Sequence, residues 1–203
     1  MKPTSFVSTV GEISAEEAVG VPDLDAVISY WTEDEYTAEE WFHELNDQWG
    51  TAGFALRRGG EVQGVVVYAL PEHLKGVVRY PLAIDDEAVV LAYAGGDTRT
   101  RRRLLVRMLR DLRQRGFWKV QAIASDRGLS NHVSTSFLLE SGWQPLHRAP
   151  YRMSYYTLFN IDLKSAVEVG ELARTLVGRV KLPGIQSPVP GTLARSTGEQ
   201  GSN

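Results

Sequence analysis

The sequence contains no cysteine among its 203 residues. This absence excludes a disulfide scaffold, a cysteine-ligated zinc or iron–sulfur site, and catalysis by a thiol nucleophile. The four histidines are scattered along the chain with neither HxH nor HExxH spacing, so no metal site is predicted. GxSxG and Walker motifs are also absent, and none of these well-known catalytic or phosphate-binding patterns therefore points to a function.

Long apolar runs and a positive net charge are missing as well. No run approaches the roughly 18 apolar residues that indicate a membrane span, so no membrane partner is expected. The first twelve residues, MKPTSFVSTVGE, lack the apolar core of a secretory signal, and we expect a cytoplasmic protein. With 43% hydrophobic residues and a net charge of −3, the composition is typical of a globular chain.

Charge is distributed unevenly along this chain. Residues 12–47 include twelve acidic side chains and no Lys or Arg, whereas residues 99–119 include nine basic side chains and one acidic one. These segments are interpreted either as two solvated faces that complement each other, or as an anion-binding segment and a cation-attracting one. Nucleic-acid binding through the basic segment is a further reading. The strongly acidic remainder of the chain argues against it, and no nucleic-acid partner is predicted.

Short helices are predicted near the start of the chain. Ser14 with Glu17 and Thr37 with Glu40 have the spacing of capping boxes. Apolar residues then recur at helical spacing in two groups, Leu24, Val27, Ile28 and Trp31, and Trp41, Phe42, Leu45 and Trp49. Aromatic residues at this spacing are typical of a core, but they would also suit the wall of a substrate cleft, and both interpretations stay open.

The middle of the chain alternates between strand and helix patterns. Strands are predicted over 54–58 and 62–70 around the turn dipeptide Gly59-Gly60, and over 88–94. An amphipathic helix over 100–116, ended by Gly116, precedes further elements: a strand over 117–124, a helix over 131–141, strands over 143–147 and 155–163, and a helix over 166–180. This order predicts an α/β fold with a mixed, mostly antiparallel central sheet and one parallel β-α-β crossover.

One domain is expected over residues 1–182, with helical additions at both ends. The remaining segment, 183–203, has twelve Gly, Pro, Ser or Thr among its 21 residues. Because such a composition buries too little apolar surface to offset the entropy of ordering, this segment is predicted to be a disordered tail.

A cluster of arginines lies where the third strand meets the long helix: Arg99, Arg101, Arg102 and Arg103. A helix N-terminus has free N–H groups and a positive dipole end, which suit a phosphate but oppose cationic side chains. A bound anion would resolve this conflict, and arginine pairs well with phosphate oxygens. Anion binding is therefore predicted here, with a simple solvated helix face as the alternative.

The element order and one residue pattern resemble the GNAT superfamily of acyl-coenzyme A N-acyltransferases, over residues 54–163. Many members carry, on the second core helix, an Asn, a small residue three positions on, aromatic or apolar residues at six and seven, and Gly-Phe at eleven and twelve. The matching residues here are Asn131, Ser134, Phe137, Leu138, Gly142 and Trp143. The resemblance implies transfer of a small acyl group, with acetyl as the first candidate, from acetyl-CoA as co-substrate to an amine acceptor.

The chain departs from the family pattern at two places. The phosphate loop of the family, Arg/Gln-x-x-Gly-x-Gly/Ala, falls on residues 100–105, which contain no glycine. Either the side chains from Thr100 to Arg103 bind the pyrophosphate, together with Arg99, or that cradle has been lost. Leu138 stands where the family often has a tyrosine general acid, and leucine cannot protonate a departing thiolate.

The resemblance also implies roles for individual residues. Backbone N–H groups of Leu91, Ala92 and Tyr93 would stabilise the oxyanion, and Asn131 would lie beside the cofactor. The position of Glu87 and Asp86 at the start of that strand makes them the candidates for the base that takes the amine proton, with Glu87 as the predicted one and a simple solvated turn as the alternative interpretation. If the chemistry is retained without the family's tyrosine, Tyr151 or Tyr155 or water would protonate the thiolate. The alternative is a catalytically inactive GNAT-like module that binds a partner or senses a ligand. The acceptor and the oligomeric state stay open.

Overall fold

A computed structural model describes residues 8–164, which form one sheet with helices on both faces. The helices are α1 (Ala15–Val19), α2 (Leu24–Thr32), α3 (Ala38–Gln48), α4 (Thr98–Gln114) and α5 (Thr135–Glu140). The strands are β1 (Ser8–Glu12), β2 (Gly53–Arg58), β3 (Glu61–Ala69), β4 (Val89–Ala94), β5 (Lys119–Ser125), β6 (Val133–Ser134), β7 (Gln144–Tyr151) and β8 (Ser154–Asp162). Two short 3-10 helices, Pro71–His73 and Lys75–Arg79, lie between β3 and β4. The predicted helix over 166–180 and the predicted tail over 183–203 lie outside the described residues.

The sheet has the order β1-β2-β3-β4-β5-β8-β7, and β6 pairs with β5 off this path. Most neighbours are antiparallel, while β4 and β5 are parallel and joined through α4. The predicted fold class, a mixed and mostly antiparallel sheet with a β-α-β crossover, is confirmed. None of the helices within residues 8–164 is long and apolar enough to cross a membrane.

The first strand was not predicted, because the sequence pattern placed only helices before residue 54. In the structure β1 pairs antiparallel with β2 at the edge of the sheet, from Ser8 opposite Arg58 to Glu12 opposite Phe54. Its five residues, STVGE, include a single large apolar side chain, Val10. An edge strand with so little apolar alternation carries no clear period of two, which is the signal that sequence reasoning needs.

Alternating side chains of the sheet supply two cores. On β3, Val65 and Val67 pack with α1, α2 and α3, while Val66 and Tyr68 pack with α4 and α5 on the opposite face. Both predicted capping boxes are confirmed, with Ser14 and Thr37 as the N-caps of α1 and α3. The acidic residues 12–47 therefore lie mainly on one side of the sheet, and the arginine-rich helix α4 lies on the other.

The second core helix is shorter than predicted. A helix over 131–141 was expected, but α5 begins only at Thr135, with Ser134 as its N-cap in an extended conformation. Asn131 lies in a turn, and the next residues form β6 against β5. Pairing with β5 satisfies backbone groups that a longer helix would have satisfied internally, so the tertiary contact overrides the helical pattern.

Candidate active site

The two parallel strands at the centre of the sheet separate along their length. β4 and β5 pair only at Val89 with Val120 and at Val90 with Gln121. β4 then continues to Ala94 and β5 to Ser125 without further pairing between them. We call the opening between residues 91–94 and 122–125 the wedge. Its narrow end lies at Val90, and its wide end faces the loop that leads into α4.

A β-bulge on β4 borders the wedge. Tyr93 lies opposite Val67 and Leu91 opposite Tyr68, which leaves Ala92 as an extra residue with no partner on β3. As a result, the side chains of both Ala92 and Tyr93 pack in the layer of α1, α2 and α3. A bulge bends its strand and changes the direction of nearby backbone groups. The three residues predicted to stabilise an oxyanion thus lie at the bulge, where β5 offers them no pairing partner.

The N-terminus of α4 is capped by a carboxylate, that of Asp97, which is not among the residues predicted to form the site. The Thr100 N–H donates to Asp97 Oδ1 over 2.7 Å, and this hydrogen bond holds the pKa of the Asp97 carboxyl below its usual value. An anion at a helix N-terminus is stabilised by the helix dipole. The predicted conflict between the dipole and the arginines is therefore relieved in this structure by Asp97 itself.

Three of the four clustered arginines hold α4 against neighbouring elements. The Arg101 guanidinium lies over the Phe137 ring, 4.4 Å from its centroid. Arg102 pairs with Glu140 over 3.4 Å, and Arg103 donates to Ser8 Oγ over 2.9 Å. Arg99 is exposed. The structure thus brings the arginines together on the first turns of α4, but Arg101 and Arg102 join α4 to α5 rather than pointing freely into solvent.

The loop before α4 is packed tightly onto β3 through glycines. A Cβ atom added to Gly64 would lie 2.5 Å from the Gly95 carbonyl oxygen and 2.7 Å from Thr100 Cγ2. Gly96 has φ +102, a conformation that side chains rarely adopt. Gly64 and Gly96 allow the backbone of β3 and that of the loop to approach closely. This packing fixes the position of the start of α4 relative to the wedge.

We expect the substitution Gly64→Ala to destabilise the fold by about 1–3 kcal/mol, because the added methyl group must displace backbone rather than a flexible side chain. Chemical denaturation would measure the loss. The substitution Gly20→Ala is the matched control, since φ is −79 there and an added Cβ lies 3.5 Å from its nearest neighbour, the Glu17 carbonyl oxygen, which is an ordinary contact. A Gly64→Ala protein as stable as the Gly20→Ala protein would contradict the close approach.

The chain itself crosses the wedge. β8 pairs with β5 over the whole of Lys119–Ser125, so β6, which pairs with Ala124 and Ser125, lies on the β4 side. β6 also contacts β4. The ring of His132 packs among aromatic residues of the α1–α3 layer, whereas Val133 belongs to the core beneath α4 and α5. Residues 129–134, which we call the strap, therefore pass through the wedge from one face of the sheet to the other.

Two side chains hold the strap on the α1–α3 side. Trp31 Nε1 donates to the Asn131 carbonyl oxygen over 2.8 Å, and the Tyr80 hydroxyl lies 2.7 Å from His132 Nε2. Tyr80 also makes a short hydrogen bond with Tyr30. Burial raises the pKa of Tyr80, which therefore remains a neutral phenol.

His132 is a buried histidine that is only partly satisfied. It is 7% exposed, and its Nδ1 atom has no hydrogen-bond partner among the described residues. Burial, with a smaller contribution from the charge of Arg79, lowers the pKa of His132 to about 4. The ring is consequently neutral near pH 7. On burial its Nδ1 atom loses its hydrogen bond to water, and no group within residues 8–164 replaces that bond.

Asp126 ties the other end of the strap region to the sheet. Its carboxylate accepts hydrogen bonds from Thr135 Oγ1 over 2.7 Å and from Arg148 Nη2 over 2.7 Å. Burial alone would raise the pKa of Asp126, but the hydrogen bonds from Thr135 and Arg148 outweigh it, and the pKa lies below its usual value. The first residue of α5 is thereby anchored to β7.

The predicted catalytic side chains lie in different places. Glu87 is exposed in the turn before β4, beyond the narrow end of the wedge, and its N–H donates to Asp85 Oδ1. Tyr151 is half-buried, and its ring centroid lies 5.0 Å from that of Tyr80, so it borders the aromatic side chains that hold the strap. Tyr155 is 49% exposed and lies under the Arg148 guanidinium. Leu138 is fully buried in the core.

An acidic pocket lies on the α1–α3 side of the sheet, with a volume of about 130 Å³. Its lining combines carboxylates with aromatic rings: Thr32, Asp34, Tyr36, Trp41, Glu44, Leu45, Glu72, His73 and Lys75. Lys75 pairs with Asp34, and the Tyr36 hydroxyl donates to Glu44. Carboxylates beside aromatic faces suit a protonated amine.

Several residues of the candidate site are not predicted from the sequence. Asp97 could have been found, because an Asp directly before a helical pattern is a standard N-cap signal. His132 and Tyr80 could not, since they are 52 residues apart and nothing local indicates that they meet. Among residues 8–164, no group of three or more His, Asp or Glu side chains is arranged to hold a metal ion.

No family model and no curated protein matches the sequence. Solved structures do match. An N-acetyltransferase from Staphylococcus aureus Mu50 is 12% identical with a TM-score of 0.56, covering 78% of this chain and 99% of its own. An acetyltransferase of the GNAT family from Streptococcus pneumoniae is 13% identical with a TM-score of 0.51, covering 77% and 99%. A polyamine N-acetyltransferase from Drosophila melanogaster that forms N-acetylagmatine is 11% identical with a TM-score of 0.50, covering 77% and 100%.

These similarities establish the fold. Most of residues 8–164 superpose on complete acetyltransferase chains, so the expected GNAT-like fold is confirmed. The described part of this chain has the GNAT fold, with the wedge between its parallel strands, the bulge on β4 and the arginine-rich helix behind them.

Proposed function

We propose that this chain is an acyl-CoA-dependent N-acyltransferase that moves a small acyl group, with acetyl as the first candidate, to an amine. The proposal is carried by the wedge: within a GNAT fold, the bulged strand β4 presents backbone groups that β5 does not pair. An unpaired strand edge of this kind favours an extended ligand that carries amide groups.

The arm of an acyl-CoA molecule fits such a surface chemically. It is an extended chain with amide groups, which can pair with a free strand edge in the way that a peptide adds to a sheet. Backbone N–H groups at Leu91, Ala92 and Tyr93 would then lie near the thioester, where donors stabilise the oxyanion of an acyl transfer. The bulge at Ala92 supports this role because it redirects the backbone at that point.

The reaction would proceed by direct attack. The amine nitrogen adds to the thioester carbonyl carbon, the C–S bond then breaks as the tetrahedral intermediate collapses, and the coenzyme leaves as a thiolate. The amine loses a proton to a base, and the thiolate gains one or departs charged. Tyr151 is the better placed of the two proposed tyrosines, since its ring contacts that of Tyr80, whose hydroxyl is hydrogen-bonded to His132 of the strap. Glu87 would act only through water, because it lies beyond the paired end of β4 and β5.

The acceptor is proposed to be a cationic amine. The α1–α3 layer carries the acidic residues 12–47, and the acidic pocket places Tyr36 and Trp41 beside Asp34 and Glu44. Such a surface attracts protonated amines before one of them is deprotonated for attack. Agmatine and polyamines therefore belong in the first panel of acceptors, in line with the neighbour that forms N-acetylagmatine.

A second candidate function is a GNAT-like module that binds a ligand or partner without catalysis. Two observations favour it: the strap crosses the wedge, and the Asp97 carboxylate occupies the N-terminus of α4, where a pyrophosphate would otherwise bind. A dianionic phosphate group would be repelled by Asp97, whereas Arg99 beside it would attract that group. The α4 N-terminus therefore fits a phosphate only in part, and this misfit calls for a binding test before any kinetic one.

We expect acetyl-CoA at a hundredfold excess over its Kd to raise the melting temperature by about 5–10 °C, since such binding stabilises the native state by about 2.7 kcal/mol. Turnover would be measured as thiol release across the amine panel.

The substitution Asp97→Asn keeps a capping oxygen and removes the charge, so acetyl-CoA should bind about fivefold more tightly. Asp47→Asn, on the exposed side of α3, is the matched control.

The possible results separate the two candidates. Binding with turnover supports the acyltransferase, whereas binding without turnover on any amine supports the sensing module. If neither acetyl-CoA nor longer acyl-CoAs bind to the wild type or to the Asp97→Asn protein, the acyltransferase proposal is wrong.

A further inference from the structure

We propose that the strap, residues 129–134, is a gate across the acyl-CoA site, closed in this structure and displaced when the acyl-CoA arm enters the wedge. The inference rests on the proposed function, because it concerns access to that same site. The structural observation behind it does not depend on that function: the strap passes between β4 and β5 from one face of the sheet to the other.

The closed strap and a bound arm compete for the same space. Neighbouring strands of a sheet lie about 4.8 Å apart, so a strand paired with β5 and in contact with β4 fills most of the opening. An arm lying along β4 needs a place beside Leu91, Ala92 and Tyr93. Since β6 takes the edge of β5 at Ala124 and Ser125, the wide end of the wedge becomes accessible to a ligand only if β6 leaves.

The strap is built to be released without unfolding its neighbours. β6 pairs with β5 at only two positions, and residues 126–130 before it are exposed. Segments with few backbone hydrogen bonds open at low free-energy cost. The main cost of opening the strap is the exposure of the buried side chains of His132 and Val133. Gly128, with φ +66, directly precedes the strap, and Thr135, which directly follows it, is anchored by a hydrogen bond to Asp126. These points would allow the strap to swing while α5 stays in place.

Contacts from the α1–α3 side hold the gate closed. The Trp31 indole N–H binds the Asn131 carbonyl oxygen, and the Tyr80 hydroxyl pairs with His132 Nε2. The closed state also has a weakness, because His132 Nδ1 is buried with no hydrogen-bond partner within residues 8–164 and would gain one in water. The hydrogen bonds from Trp31 and Tyr80 favour the closed strap, whereas the unsatisfied Nδ1 atom of His132 favours the open one. We therefore expect a strap that is closed without a ligand and opens when one binds.

The first test weakens one contact. Tyr80→Phe removes the hydroxyl that pairs with His132 and retains the ring, so the ratio of open to closed strap should rise about fivefold. When the closed form predominates, the apparent Kd for acetyl-CoA should fall by the same factor, because it scales inversely with the open fraction. Tyr156→Phe is the matched control: its ring also contacts His132, 5.1 Å between centroids, but its hydroxyl makes no hydrogen bond to the strap.

The second test locks the gate. Ser125 and Ser134 are paired across β5 and β6, and the chain has no cysteine of its own, so Ser125→Cys with Ser134→Cys can form only the intended disulfide within one molecule. Oxidation of this double variant should weaken acetyl-CoA binding at least tenfold, and reduction should restore it. The two single variants show the effect of each cysteine alone.

Hydrogen–deuterium exchange gives a readout that is independent of activity. Acetyl-CoA should speed exchange at the amides of Val133 and Ser134, which pair with β5 in the closed state, and Tyr80→Phe should do so without ligand. Equal acetyl-CoA affinity of the oxidised and reduced double variant would overturn the gate and leave the proposed function standing. If Tyr80→Phe speeds exchange at the strap and still no form binds any acyl-CoA, the proposed function fails and the gate for acyl-CoA fails with it.

Discussion

Acidification from pH 7.5 to pH 4.5 is expected to lower the free energy of unfolding by about 2.5 kcal/mol through His132 alone. Burial holds the pKa of this imidazole at about 4, compared with 6.5 for an unperturbed histidine. Below pH 6.5 the unfolded chain therefore binds a proton that the native state does not. The stability contributed by His132 is complete above pH 6.5 and is lost progressively as the pH falls towards 4.

The effect can be separated from that of the carboxylates. Asp97, Asp126 and Glu17 also have lowered pKa values, but their contributions are lost only below their ordinary values of 3.8 to 4.5. Between pH 4.5 and 6.5 the slope should therefore belong mainly to His132. Urea denaturation at several pH values should show the slope in the wild type and in the exposed control His147→Gln. His132→Gln should remove it, and a slope that persists in that variant would refute the assignment.

Elements with strong local signals could be predicted from the sequence. Helices α1 and α3 follow capping boxes, and the Gly59-Gly60 turn adopts φ +61 and +90 as a hairpin between β2 and β3 requires. Helix α4 has five of its leucine and methionine side chains buried on one face, and Gly116 follows it with φ +87. In each case the residues that determine the element are close together in the chain, so local interactions are sufficient to predict it.

The candidate site was predictable only in part, because its decisive contacts join distant segments. The position of the wedge follows from the crossover β4-α4-β5, and the residues at the bulge were correctly placed on β4. For residues 131–134 of the strap the sequence predicts helix, since 131–141 carry a helical spacing and nothing local indicates that β5 takes Val133 and Ser134 as partners. The arginine cluster suggested an external anion, whereas a carboxylate two residues before Arg99 supplies one.

The two interpretations of the N-terminal aromatic residues can now be compared with their surroundings. Phe42 is fully buried, and its ring meets that of Trp41 edge to face, with 5.1 Å between centroids. Trp49 is half-buried beneath the Arg115 guanidinium. These side chains belong to the core. Trp41 differs, since it is 4% exposed and also lines the acidic pocket, so it belongs to the core and to the wall of a cleft at once.

The substitution Trp41→Ala is therefore expected to destabilise the protein by about 3–5 kcal/mol, the usual cost of truncating a large buried aromatic side chain. Trp118→Ala is the control: that tryptophan is 44% exposed, and its loss should cost about 1 kcal/mol or less. A loss below about 1 kcal/mol for Trp41→Ala would contradict its place in the core.

The pocket role of Trp41 needs a variant that still folds, and Trp41→Phe keeps an apolar ring at this position while it removes part of the pocket wall. If the pocket receives the cationic acceptor, the KM for the amine should rise severalfold, because an indole is a stronger partner for a cation than a benzyl ring. The KM for acetyl-CoA should stay unchanged, since its proposed site lies in the wedge. An unchanged amine KM in a stable Trp41→Phe protein would show that the acceptor binds elsewhere and that Trp41 serves the core alone.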